Sequence, residues 1–330
     1  MTARVSLVVC PGTLPSQGMH RFDITHYNMR FSGKGRLTAR EMLAQLPEIS
    51  GFAHVEPDDS DPMPVATHGD LARLARHMQR TMDRGDIDGA VIVQGTNTLE
   101  ETAFFLNLVL KTAKPVIVVG AQRPFTAVST DAHLNLANAV RVAACPEARG
   151  KGVMVVTNSE INAGRDVTKT FTFQLQTFRS RDLGVLGYAD ADRVVFYRTP
   201  TRTHTMESEF TLADADNLPK VEIVYGHTGA DPRLARAAVD LGAKGIVIAG
   251  VGAGAMGVYL DTLVGLAREG VKVVRSARVG EGRVLATGNA HEEGTIAADN
   301  LNPQKAAILL AFAMARGKDN SAIQAVFDTY

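Results

Sequence analysis

Gly89-Ala90-Val91-Ile92-Val93, the polar turn that follows it, a helical stretch from about Glu100 to Lys111, and then Pro115-Val116-Ile117-Val118-Val119 decide the fold. Both short runs are apolar without polar alternation, the mark of a strand buried on both faces. Two such strands joined by a helix make a parallel pair. The same pattern extends outward. Val5 to Val9 is bounded by Pro11-Gly12, Ala39 to Leu46 and Leu71 to Met82 have helical spacing, and Val153 to Thr157 is a further run. It resumes with Val221 to Tyr225, Leu234 to Leu241, Gly245 to Ala249, Leu260 to Glu269 and Val271 to Arg275. Asn302-Pro303 announces a last helix, a cap residue followed by proline at the first helical position. Between Tyr197 and Lys220 the alternation lapses into polar, turn-rich sequence. The reading is an α/β protein of two domains: a larger N-terminal one with a mostly parallel sheet over 1–198, a linker over 199–219, and a smaller Rossmann-like one over 220–330.

Composition narrows the partners. Lys plus Arg and Asp plus Glu both number 35, so no excess of basic charge points to nucleic acid or an anionic membrane. The longest apolar run, Ala306 to Ala315, is half of the roughly 20 residues that cross a bilayer. Residues 1–10 lead straight into a strand with no signal-like segment, from which a cytoplasmic location is expected. The two cysteines, Cys10 and Cys145, have no bridge or zinc spacing, and no histidine pairing suggests a metal. A small-molecule enzyme or binding protein, without metal, remains.

Ligands of parallel α/β sheets bind beyond the carboxyl ends of the strands. Three loops stand there: Cys10-Pro11-Gly12-Thr13, Gln94-Gly95-Thr96-Asn97-Thr98, and Gly120-Ala121-Gln122-Arg123-Pro124. Thr98 with Glu101 has the spacing of a capping box, fixing a helix start just after Thr96 and Asn97. A threonine hydroxyl there needs a base, and Lys169 in a polar loop is the nearest candidate. Spacing alone favours the plainer reading, in which Thr96 and Thr98 are cap and turn residues and Lys169 a solvated charge. Thr13 is a nucleophile or a turn residue on the same footing, and Cys10 reads as a buried thiol. Gly252-Ala253-Gly254-Ala255-Met256-Gly257 matches the GxGxxG dinucleotide pattern. The next strand, however, ends in Arg275 where a ribose-binding acid is expected. Asp58-Asp59-Ser60-Asp61 reads as a solvated turn in preference to a metal site.

Longer stretches carry a resemblance. Gln94-Gly95-Thr96-Asn97-Thr98-Leu99-Glu100-Glu101-Thr102-Ala103-Phe104-Phe105-Leu106, Val119-Gly120-Ala121-Gln122-Arg123-Pro124, Gly164-Arg165-Asp166-Val167-Thr168-Lys169-Thr170 and Leu301-Asn302-Pro303-Gln304-Lys305-Ala306 resemble the bacterial-type L-asparaginase/glutaminase family. The resemblance implies the two-domain asparaginase-like fold, amide hydrolysis without a cofactor, and homotetramers assembled as dimers of dimers. It places Thr13 on the family's first catalytic threonine, the usual nucleophile, Thr96 on the second and Lys169 on its lysine. It also implies substrate contacts from Ser60, Asp61, Gly95, Asn97 and Gln122.

The departures from the family pattern are specific. Asn97 stands where the family has the aspartate that meets the substrate's α-ammonium, Gln94 where it has histidine, and Ala255 where an asparagine reaches toward the substrate. The mobile-loop tyrosine aligns with Phe31, or with Tyr27 if the loop is shifted. An asparagine brings no negative charge to balance an ammonium. The expectation is therefore an amidohydrolase using threonine acyl-enzyme chemistry on an amide, imide or lactam without a free α-ammonium. An ordinary L-asparaginase, a small-molecule-binding homologue impaired in turnover, and a dinucleotide-dependent oxidoreductase are the alternatives.

Overall fold

A computed structural model of the chain describes residues 2–27, 29–60, 62–288 and 293–330. It divides into two compact units, Met1–Leu212 and Ala213–Tyr330. The first contains β1 (Arg4–Val9), α1 (Met29–Ser32), α2 (Ala39–Gln45), β2 (His54–Pro57), α3 (His68–Asp83), β3 (Gly89–Val93), α4 (Leu99–Val109), β4 (Val116–Val119), α5 (Ala132–Ala143) and β5 (Val153–Thr157). After these come β6 (Glu160–Ala163), β7 (Thr168–Lys169), β8 (Phe178–Arg179), β9 (Gly187–Ala189) and β10 (Val194–Phe196). The eight-stranded sheet runs β10-β9-β6-β5-β4-β3-β1-β2. Its half from β5 to β2 is parallel.

The apolar runs behave as buried strands should. Every residue of β3, β4 and β5 is buried. One face of the sheet, through Val91, Val93, Ile117, Val119, Met154 and Val156, shares a core with Met42 of α2 and Leu136 and Val140 of α5. Helix α4 packs on β4 and β5 and against α3. Ten of its eleven residues are buried, so it carries no polar stripe. The other half of the sheet is antiparallel. It begins at a tight turn in which Asn158 and Ser159 both have positive φ, 51° and 63°, the twist that suits a two-residue hairpin.

The second unit is built on β11 (Val221–Tyr225), β12 (Gly245–Gly250), β13 (Lys272–Ala277) and β14 (Ile296–Ala297), paired in that order and all parallel. Helices α6 (Arg233–Asp240) and α7 (Leu260–Arg268) share one core with Ile246, Ile248 and Val273. Helix α8 (Pro303–Ala315) packs on β11, β12 and β13, followed by α9 (Asn320–Thr329). Asn302 caps α8 as expected, its side chain accepting from Lys305 N–H. The division after Leu212 assigns the first part of the expected linker to the first unit. There Phe210 is fully buried, and Lys111 Nζ donates to the carbonyls of Thr205 and Ser208. Among the described residues no helix is long and apolar enough to cross a membrane.

Candidate active site

The loops that leave β1 and β3 are bound together before any side chain is considered. Cys10 N–H donates to Val93 O at 2.8 Å, Gly95 N–H to Pro11 O at 3.0 Å, and Gln94 N–H to Val119 O at 2.9 Å. The contact depends on glycine: a Cβ on Gly12 would stand 2.2 Å from Gly95 N. These loops form the floor of a 550 Å³ cleft, within the ordinary range of small-molecule sites. Thr13, Ser16, Tyr27 and Arg36 line it, as do Gly95, Thr96, Asn97 and Thr98 and the apolar stretch Pro64 to Ala66.

Two hydroxyls in this cleft have chemically suggestive partners. Thr96 is 5% exposed, and its Oγ1 receives a hydrogen bond from Lys169 Nζ at 2.7 Å. Lys169 comes from β7, where its own N–H donates to Glu100 Oε2 at 2.8 Å. Burial lowers the Lys169 pKa, against the opposing pull of the Glu100 carboxylate. An amine moved in that direction exchanges protons more readily near neutrality than a solvated lysine does. Thr13 Oγ1 donates to the Tyr27 hydroxyl at 3.0 Å. Tyr27 is held by a loop organised on Asp23, which accepts N–H bonds from Met19, Thr25 and His26. Those bonds pull the Asp23 pKa down to about 2.

The sequence-predicted residues are not all gathered here. Thr13, Thr96, Gly95 and Asn97 line the cleft, and Lys169 reaches Thr96. Gln122 instead turns its amide to the carbonyls of Thr172 and Gln174. Ser60 is exposed on a turn where its N–H meets Asp58 Oδ1, and it is not part of the cleft lining. Asp61 and the Phe31 side chain lie outside the described residues. Arg36 escaped the sequence reading because nothing in its neighbourhood links it to Thr13; only the folded path of the chain does.

Several local expectations are corrected. Thr98 is the N-cap of α4, but its side chain makes no capping bond. Its ψ of 21° departs from the extended conformation that aims a cap side chain at the N3 amide. Gly95, expected to contact substrate, has its N–H spent on Pro11 O. Cys10 is wholly buried, and burial, assisted by the charge of Asp58, pushes its thiol up to about 12, so it is no nucleophile. In the acidic turn Asp58 pairs with His77 and Asp59 with Arg40. No cluster able to hold a metal occurs among the described residues. Arg275, required by the dinucleotide reading, is buried in β13, bonded to Thr295 Oγ1 and Leu285 O.

Comparison with known proteins accounts for this arrangement. The family model described as asparaginase, N-terminal, matches residues 4–202, and that of the glutaminase/asparaginase C-terminal domain matches residues 220–327. The chain belongs to the asparaginase family. It is therefore an amidohydrolase by descent. It is 38% identical to an L-asparaginase 2 of Bacillus subtilis (strain 168), over 99% of this chain and 86% of that one. It is 37% identical to a glutaminase-asparaginase of Pseudomonas fluorescens biotype A, over 99% and 91%. The crystal structure of a probable cytoplasmic L-asparaginase from Campylobacter jejuni superposes with a TM-score of 0.92 at 36% identity, covering 99% of this chain and all of that one. The asparaginase-family fold, a large mostly parallel sheet unit and a smaller parallel one, is thus common to both.

Proposed function

We propose that this asparaginase-family chain hydrolyses a small carboxamide that lacks a free α-ammonium, by way of a threonyl ester. The observation that carries the reading is the cleft lining. It brings two threonine hydroxyls, one bonded to a half-buried lysine, together with a neutral asparagine and no carboxylate among the described residues. Thr13 Oγ1 attacks the amide carbon while Thr96 and Lys169 carry the proton that the nitrogen needs to leave as ammonia. Thr96 N–H, at the same loop, is the donor we assign to the oxyanion, since that of Gly95 is spent. Water then cleaves the ester, releases the acid and restores Thr13. No cofactor is needed for these steps.

L-asparagine and succinamate differ only by the α-ammonium, so the pair tests the reading directly. Ammonia release is expected to show a kcat/KM for succinamate at least about tenfold above that for L-asparagine, with Asn97→Asp narrowing the gap. A preference for L-asparagine would return the chain to ordinary L-asparaginase activity, the reading favoured by the names of its relatives. We further infer a cytoplasmic homotetramer built as a dimer of dimers. Likeness to the Campylobacter jejuni protein supports the location, the family resemblance supports the assembly, and sedimentation of the purified chain tests the latter.

A further inference from the structure

Gln94, directly after β3, is wholly buried, and no step above uses its side chain. Its Nε2 donates to Thr102 Oγ1 at 2.9 Å, a bond between two side chains that are both closed to solvent. Its Oε1 is equally buried and has no partner among the described residues. A buried amide satisfied at only one end is costly, and a leucine would fill similar space without that penalty. What the amide supplies and leucine cannot is the bond to Thr102.

That bond spans the loop carrying Thr96. Gln94 immediately precedes Gly95-Thr96-Asn97-Thr98, and Thr102 closes the first turn of α4. The turn lacks the side-chain cap that would otherwise fix it, since Thr98 makes no capping bond. Glu100 stands on the same turn, and its carboxylate accepts the Lys169 N–H at 2.8 Å. Within the loop, the Thr96 methyl lies over Gly120, where a Cβ would stand 3.0 Å from Cγ2, while Oγ1 meets Lys169 Nζ at 2.7 Å. The Gln94–Thr102 bond thus ties the strand end that starts the Thr96 loop to the helical turn that anchors Lys169. We propose that Gln94 is a positioning residue, which holds Thr96 Oγ1 against Lys169 Nζ by way of Thr102. The proposal rests on the hydrolytic reading given above and adds to it what keeps the hydroxyl and the amine in register.

In the full-length protein, Gln94→Leu and Thr102→Val each remove the bond. For succinamate or L-asparagine, whichever the wild type prefers, either variant is expected to lower kcat by about 10- to 100-fold, with KM changed less than about twofold. The double variant should lose no more than the worse single one, because both substitutions break the same bond. Gln94→His, which offers a ring N–H to the same hydroxyl, should recover most of the rate. Unchanged kcat, or losses that multiply in the double variant, overturn the assignment. Should one single variant fail to fold, the kcat against KM split in the other decides. Should the wild type release ammonia from neither amide, the hydrolytic reading fails on its own, and the NMR methyl resonance of Thr96 in threonine-labelled protein carries the test. A resonance broadened or split in both single variants supports the tie; one identical to that of the wild type removes it.

Discussion

Lys169 concentrates the site's proton chemistry in one side chain, because burial and Glu100 push its pKa in opposite directions. If its neutral form accepts the Thr96 proton, kcat/KM rises with pH through the lowered Lys169 pKa. Glu100→Gln removes the charge that favours the cation, while a glutamine oxygen can still accept the Lys169 N–H. The rising limb of the pH–rate profile should therefore move to lower pH, and an unmoved limb would take Lys169 out of the titration. Thr13→Ala should lower kcat by about 10³-fold or more while succinate or succinamate still binds by calorimetry. Near-normal turnover in that variant would transfer the nucleophile's role to Thr96. At this scale the hydroxyls were visible in sequence as residues following strands. That Lys169 partners Thr96, 73 positions away, was legible through the family resemblance and not from spacing alone.

Among the elements, the junction of the β1 and β3 loops is the most sensitive to bulk. Gly12→Ala places a methyl group against Gly95 backbone and should separate the loops carrying Thr13 and Thr96. Activity is expected to fall by more than about tenfold, together with a lower melting temperature. Gly85→Ala, where a Cβ meets nothing within 4 Å, should change neither. Equal behaviour of the two variants would show that the apposition is unimportant. The buried parallel strands were legible because continuous Val and Ile runs have few other places to go: β3 and β5 span the residues read from sequence. The antiparallel extension was not. Its strands β9 and β10 are three residues each, and Asn158-Ser159 is not the Asn-Gly or Asp-Gly pair that advertises a hairpin. The Asn302 cap was readable because Pro303 fixes its neighbour, whereas Thr98 is turned aside by its own backbone angle.

For the whole molecule, balanced net charge leaves acid stability to individual carboxylates. Asp23 titrates at about 2 in the folded chain, mainly through the backbone N–H of His26, against roughly 3.9 when unfolded. The folded state therefore binds fewer protons in that interval, and the stability Asp23 supplies is present above pH ~4 and lost as pH falls toward 2. Asp23→Asn should lower the melting temperature at pH 7 more than at pH 3. An equal decrement at both values would mean that geometry, not charge, is what Asp23 contributes. The division into two α/β units was readable from the lapse in alternation after Tyr197. Its position at Leu212 was not, because the polar stretch folds back around Phe210. Cys10, sealed beneath the Thr13 loop, has a further consequence. A thiol so withheld from water and from its thiolate form is a latent reporter, inert to alkylating reagents in the native protein and labelled only as molecules open. Mass spectrometry of timed alkylation at this sulfur should therefore clock how often the floor of the cleft comes apart.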